Sequence, residues 1–93
     1  MSNLRQSARG MPCMIRVPGI CNGNSDTTVL AHYRLSGYCG IGIKPPDEMA
    51  AWACSACHDA VDFRIKTPFT RDELRLMHAE GVMRTNEARK QAA

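Results

Sequence analysis

Cysteine constrains this chain more than any other residue type. Cys54 and Cys57 form a CxxC, and Cys13, Cys21 and Cys39 lie upstream of it. The rest of the chain has little with which to build a core: 2 Phe, 2 Tyr and 1 Trp among 93 residues, against 7 Gly and 5 Pro. A domain of this size buries a modest share of its surface and has a thin stability margin, so it needs a staple of disulfides or metal. Residues 1–12 are polar and basic with no apolar signal-peptide region, and no apolar run reaches the length of a membrane span. That pattern predicts a cytoplasmic protein, where thiols stay reduced and clustered cysteines hold metal. The odd cysteine count also argues against a fully paired disulfide framework.

Two thiolates at CxxC spacing suit one tetrahedral Zn²⁺, which needs two further ligands. Cys13 and Cys21 bracket Pro18-Gly19, a turn able to bring two thiolates to one point, and Cys39 is the remaining thiol that can complete the set. A thioredoxin-like redox pair would need a βαβ frame and a longer chain.

Thr27–Arg34 is rich in β-branched and apolar residues and predicts a strand. Its alternation sets Val29, Ala31 and Tyr33 against Thr28, Leu30, His32 and Arg34. A glycine-rich loop follows over 36–46, then a short second strand over 49–53 and a helix from Ser55 to about Arg64. The last element has the clearest start. Thr70 and Glu73 make a capping box, with Phe69 and Leu74 at the staple positions. This helix is expected to run from Arg71 to about Ala88. Leu74, Met77 and Gly81 lie on its inner face, Leu76 and Met83 near that face, and His78 at the surface or partly packed. Gly81 in mid-helix costs about 1 kcal/mol unless close packing requires it.

The net charge is +3, and residues 1–44 hold five basic side chains against Asp26 alone. A basic front half suits a polyanionic partner.

The order of motifs is a cysteine pair, a strand bearing His32, a loop, and Cys54-Ser55-Ala56-Cys57-His58 opening a helix. In this order the chain resembles the HNH branch of the ββα-metal (His-Me finger) nucleases. It is more closely similar to the YbcO-like family of small prophage-encoded nucleases. The stretches that carry the likeness are CMIRVPGICNGN, LAHYRLSGYCGIG, KPPD and ACSACHDAVD. The resemblance implies that Cys13, Cys21, Cys54 and Cys57 hold a structural zinc and that His32 is the general base. It further implies that His58 binds a catalytic divalent cation such as Mg²⁺. Asp62, four residues on and on the same helix face, is the second candidate ligand, preferred to Asp59. Asp47 is the candidate for orienting His32. Arg16, Arg34 and Lys44 are candidates for phosphate contacts. Two positions depart from the HNH pattern: Ala31 stands where many members have a ligating Asp, and no Asn lies between His32 and His58.

The expected architecture is therefore α+β. A basic arm spans 1–12, a zinc-stapled ββα-metal core spans 13–66, and a C-terminal helix packs on that core over 67–93. The expected function is metal-dependent hydrolysis of DNA in prophage recombination or DNA processing. The alternative is a non-catalytic zinc-finger module that binds DNA or a recombination partner, and self-association through the last helix is a further expectation.

Overall fold

A computed structural model of the chain describes residues 7–34 and 47–92. Cys39, Tyr38, Lys44 and the glycine-rich loop lie outside the described residues. Two strands, β1 (Val29–His32) and β2 (Ala50–Ala53), pair antiparallel, followed by helix α1 (Ser55–Val61) and helix α2 (Arg71–Ala92). Short 3₁₀ turns at Ser25–Thr27 and Asp47–Met49 lead into the strands. The result is a small α+β unit with a two-stranded sheet and two helices.

The predicted elements are present, with shifted ends. β1 is shorter than the alternation suggested, although the Tyr33 amide still donates to the Met49 carbonyl at 2.8 Å. Val29 and Ala31 do not share an environment, because Val29 is exposed and Ala31 is fully buried. Helix α1 stops at its C-cap Asp62 rather than at Arg64. The cause is Phe63, which takes a left-handed conformation (φ 61°). The Phe63 amide donates to the Ala60 carbonyl and the Arg64 amide to the Asp59 carbonyl. This is the paired closure that ends helices at a left-handed residue, a place usually held by glycine.

Every residue of β2 is buried, and three of its four are alanine. Small side chains let other elements come close on both sides. A Cβ placed on Gly81 of α2 would lie 2.8 Å from Ile15 Cγ1 and 3.2 Å from Ala51 Cβ, so close packing explains this glycine. The free edge of β2 is also occupied. The Trp52 amide donates to Thr85 Oγ1 (2.9 Å), and the Trp52 carbonyl accepts from the Met14 amide (2.7 Å). No edge amide of Trp52 is left to pair with another chain.

The capping box at the start of α2 forms as predicted. The Thr70 amide donates to Glu73 Oε1 at 2.7 Å, and the Glu73 amide donates to Thr70 Oγ1 at 3.1 Å. Phe69 and Leu74 both pack on the main core. The helix extends past Ala88 to Ala92. Its inner face holds Leu74 and Gly81, with Met77 half-buried against the core, as expected; His78 and Thr85 are buried there as well, whereas Leu76 and Met83, expected near that face, are exposed. Two polar residues took inner positions because each has a backbone partner there. The N-terminal segment is likewise tied in, with Ala8 buried against the Trp52 cluster and the Gly10 amide donating to the Ser25 carbonyl.

Gly81→Ala is expected to destabilise the fold by about 1 kcal/mol. Crowding against Ile15 and Ala51 outweighs the gain in helix propensity. Urea denaturation of the two proteins measures the difference.

Candidate active site and metal cluster

The four cysteines named from the sequence converge. The sulfurs of Cys13, Cys21, Cys54 and Cys57 all lie within 4.8 Å of one another. Cys54 and Cys21 are 3.9 Å apart at sulfur, far beyond a disulfide bond. A tetrahedral S₄ metal site with bonds of about 2.3 Å separates its sulfurs by about 3.8 Å. The donor set and its spacing therefore fit a metal ion.

Local backbone geometry builds this cluster. Val17, Pro18 and Gly19 turn the chain, with the Ile20 and Cys21 amides both donating to the Val17 carbonyl and Gly19 at φ 73°. Arg16 stands at φ 56°, and the next amide, Val17, donates to Cys57 Sγ at 3.4 Å. Cys54 is the N-cap of α1, its sulfur accepting from the Cys57 amide. Asn22 Nδ2 donates to both Thr27 Oγ1 and Ser55 Oγ, which stitches the end of the first cysteine loop to the start of α1. A hydrogen bond from Cys57 pushes the Cys13 thiol down to about 4, while Cys57, which supplies that bond and is buried, is pushed up. Burial also raises the Cys21 thiol. Gathered thiols of this kind share protons in a way a bound cation would relieve.

Two histidine–carboxylate pairs lie beyond the cluster. His32, at the end of β1, is 2.7 Å from Asp47 (Nε2 to Oδ1), and His58 is 3.1 Å from Asp62 (Nε2 to Oδ2) across one turn of α1. Asp59 instead pairs with Arg64 at 3.6 Å, and Arg64 also reaches Asp62 at 3.6 Å. His32, His58 and Asp62 line one open cleft of about 780 Å³ with Thr28, Val29, Leu30, Arg9 and Arg34. A second cleft of about 620 Å³ meets the first at His32, Arg34 and Asp62, and continues past Phe63, Arg71, Asp72, Arg75 and His78.

The predicted basic residues divide. Arg34 lines both clefts. Arg16 lines neither, since its Nε donates to the Cys13 carbonyl (3.2 Å) and its guanidinium sits beside the Met14 sulfur. Its sequence position near the basic front half hid a role in holding the cysteine loop. Arg9, Arg71 and Arg75 were missed as cleft residues. Arg9 enters the sequence reading only through the bulk charge, and the other two lie on α2, which none of the four quoted stretches reaches. Arg75 is anchored by its donations to Tyr33 Oη (3.0 Å) and to the Arg34 carbonyl (3.1 Å).

Comparison with known proteins identifies the family of the chain. The profile of the family described as "Putative nuclease YbcO" matches residues 2–93. Two curated proteins, "Putative nuclease YbcO" of Escherichia coli (strain K12) and "Putative nuclease ybcO" of Enterobacteria phage 82, are each 61% identical over 64 residues. Each alignment covers 69% of this chain and 67% of the relative. A solved structure of "a putative bacteriophage protein from Escherichia coli str. K-12 substr. MG1655" matches with a TM-score of 0.79 at 41% identity, over 95% of this chain and 96% of the other. Among the described residues no helix is long and apolar enough to cross a membrane.

His78 lies behind the site rather than at the surface. It is buried, its Nε2–H donates to the Ala31 carbonyl at 2.9 Å, and its ring meets Tyr33 edge-on at 5.1 Å. Burial pushes its pKa below the ordinary 6.5, so the folded protein holds it neutral. The unfolded chain takes up that proton as pH falls through about 6.5, which favours unfolding. Stability contributed at this site is thus present above about pH 6.5 and lost as pH falls toward the folded-state pKa. His78→Gln is expected to show a shallower fall of stability between about pH 7.5 and pH 5.5 than wild type. Urea midpoints measured across that range test the difference in slope.

Proposed function

The chain belongs to the "Putative nuclease YbcO" family, and on that premise we propose that it is a metal-dependent endonuclease of the HNH type acting on DNA. The observation that carries the reading is the cleft itself. Two histidines, each held by a carboxylate 2.7–3.1 Å away, open onto one basic-rimmed space beside a four-cysteine cluster. The cysteine cluster holds a structural Zn²⁺, which S₄ donors at tetrahedral spacing suit.

Phosphodiester hydrolysis needs a base that takes a proton from water and a means of stabilising charge on the phosphate and leaving oxygen. His32 fits the first need. Its Nε2–H donates to Asp47 Oδ1, which fixes the tautomer and leaves the Nδ1 lone pair to accept a proton from water. His58 on α1 and Asp62 at its C-cap would hold a divalent cation through one nitrogen and one oxygen donor. When bound, such a cation supplies Lewis-acid stabilisation of the scissile phosphate. Arg9 and Arg34 on the cleft wall contact flanking phosphates. Ala31 makes no contribution to this set: it is fully buried opposite Ala51, where a carboxylate would meet the core. Prophage recombination or DNA processing is the setting, supported by the phage-encoded relative.

The buried Ala31 also favours a second reading, a zinc-held module that binds DNA without cutting it. Plasmid nicking separates the two. Wild type with Mg²⁺ or Mn²⁺ is expected to convert supercoiled plasmid to the nicked form, with His32→Ala slower by about 10²–10⁴-fold and Asp47→Asn reduced less. Wild type that binds plasmid and never nicks it would leave only the binding module.

The zinc assignment has its own test. Elemental analysis is expected to find about one zinc per chain, with a strong chelator abolishing the far-ultraviolet circular dichroism of the fold. Folded protein without metal would refute it.

A further inference from the structure

The second cleft extends from the candidate reaction centre toward the start of α2, and its composition differs from the first. Its outer wall combines Phe63 with Arg71 and Arg75. Phe63 is exposed, although it is a large apolar side chain, and its backbone is in the left-handed region at φ 61°. Glycine would occupy that position without strain, since bulky residues rarely adopt it. The ring is held in place, with the Arg71 guanidinium 5.1 Å from its centroid. A strained backbone that presents an aromatic ring to solvent beside cations is a feature to explain by function. Burial does not explain it, and a helix terminus needs no aromatic residue there.

We infer that this cleft binds a single-stranded DNA segment flanking the scissile phosphate, with a base stacked on Phe63 and its phosphates held by Arg71 and Arg34. The inference rests on the nuclease reading and narrows its substrate to DNA with an unpaired flank, such as a tailed or forked end. Aromatic rings beside a cationic track are the features that hold single strands, because every base offers a π-face while the phosphates supply uniform charge. Bases within an intact duplex are stacked on each other and have no free face for Phe63. Asp72, also on this wall, repels phosphate and leaves Arg34 and Arg71 as the contact points. Arg75, bound to Tyr33 and to the Arg34 carbonyl, positions the Arg34 backbone.

The test uses zinc-loaded full-length protein carrying His32→Ala, so that DNA stays uncut. Fluorescence anisotropy compares a short blunt duplex with the same duplex bearing a single-stranded thymidine tail at either end. The tail is expected to tighten binding about tenfold, the scale of one stacked base. Phe63→Gly is expected to remove most of the tail effect, leaving the salt-dependent part from Arg71 and Arg34, with duplex affinity unchanged and thermal stability equal or higher. Phe63→Tyr is expected to retain the effect. Arg71→Gln is expected to lower the salt dependence of tailed-duplex binding by about one counterion. Equal affinity for blunt and tailed duplex, or a tail effect undiminished by Phe63→Gly, overturns the inference and leaves the nuclease reading standing. Failure to bind any of these DNAs overturns both.

Discussion

The convergence of Cys13 and Cys21 on Cys54 and Cys57 is the constraint on which the remaining structure depends. The first pair lies before both strands and the second lies at the N-cap and first turn of α1, just after β2, so the cluster closes a loop that contains the sheet. Apolar burial alone gives this chain little: β2 is Ala-Ala-Trp-Ala, and the largest fully buried side chains include Val17 and Thr85. The cluster also sets function-bearing geometry directly. Cys54 caps α1 and Cys57 sits in its first turn, so the adjacent His58 and then Asp62 inherit their direction from the sulfurs. His32 stands on the strand that pairs with β2, whose last residue, Ala53, adjoins Cys54.

Helix α2 serves as a buttress for that arrangement. It approaches β2 closely because Gly81 has no side chain and Ala51 a small one. It then makes two polar contacts with strand backbone, Thr85 Oγ1 accepting from Trp52 and His78 donating to Ala31. The second contact is one residue from His32. A buried neutral histidine is a costly choice for a helix face, and the bond to Ala31 is its compensation. The same helix supplies Arg71 and Arg75 to the second cleft, so it both supports the histidine strand and shapes the surface beside it.

Features encoded by local chemistry were legible in the sequence. The CxxC spacing, the Pro18-Gly19 turn and the Thr70/Glu73 capping box each depend on residues within a few positions of one another, and each appears in the structure. His58 with Asp62 was readable for the same reason, being one helical turn apart. The His32–Asp47 contact spans fifteen residues and was reached through resemblance. What the sequence hid depends on partners far along the chain. Helical periodicity puts Leu76 and Met83 near the inner face, leaves His78 at the surface or partly packed and says nothing of Thr85, because it registers apolarity and cannot register a distant carbonyl or amide awaiting a partner. Arg16 looked like a phosphate contact because charge is visible in a sequence, whereas its bond to the Cys13 carbonyl follows from a left-handed turn. Phe63 ended α1 early with no glycine to signal it.

Charge of both signs gathers at the two clefts. The carboxylates of Asp47 and Asp62 lie against His32 and His58, while the guanidinium groups of Arg9, Arg34 and Arg71 line the two clefts, the second of them together with Asp72. Each histidine thus has a carboxylate partner within hydrogen-bonding distance, and the clefts beside them carry positive charge on their walls. Arg34 and Asp62 border both clefts, which therefore adjoin. The modest net charge of +3 is thus a poor guide to the local potential, which is set by which residues the cysteine cluster and α2 bring to one face.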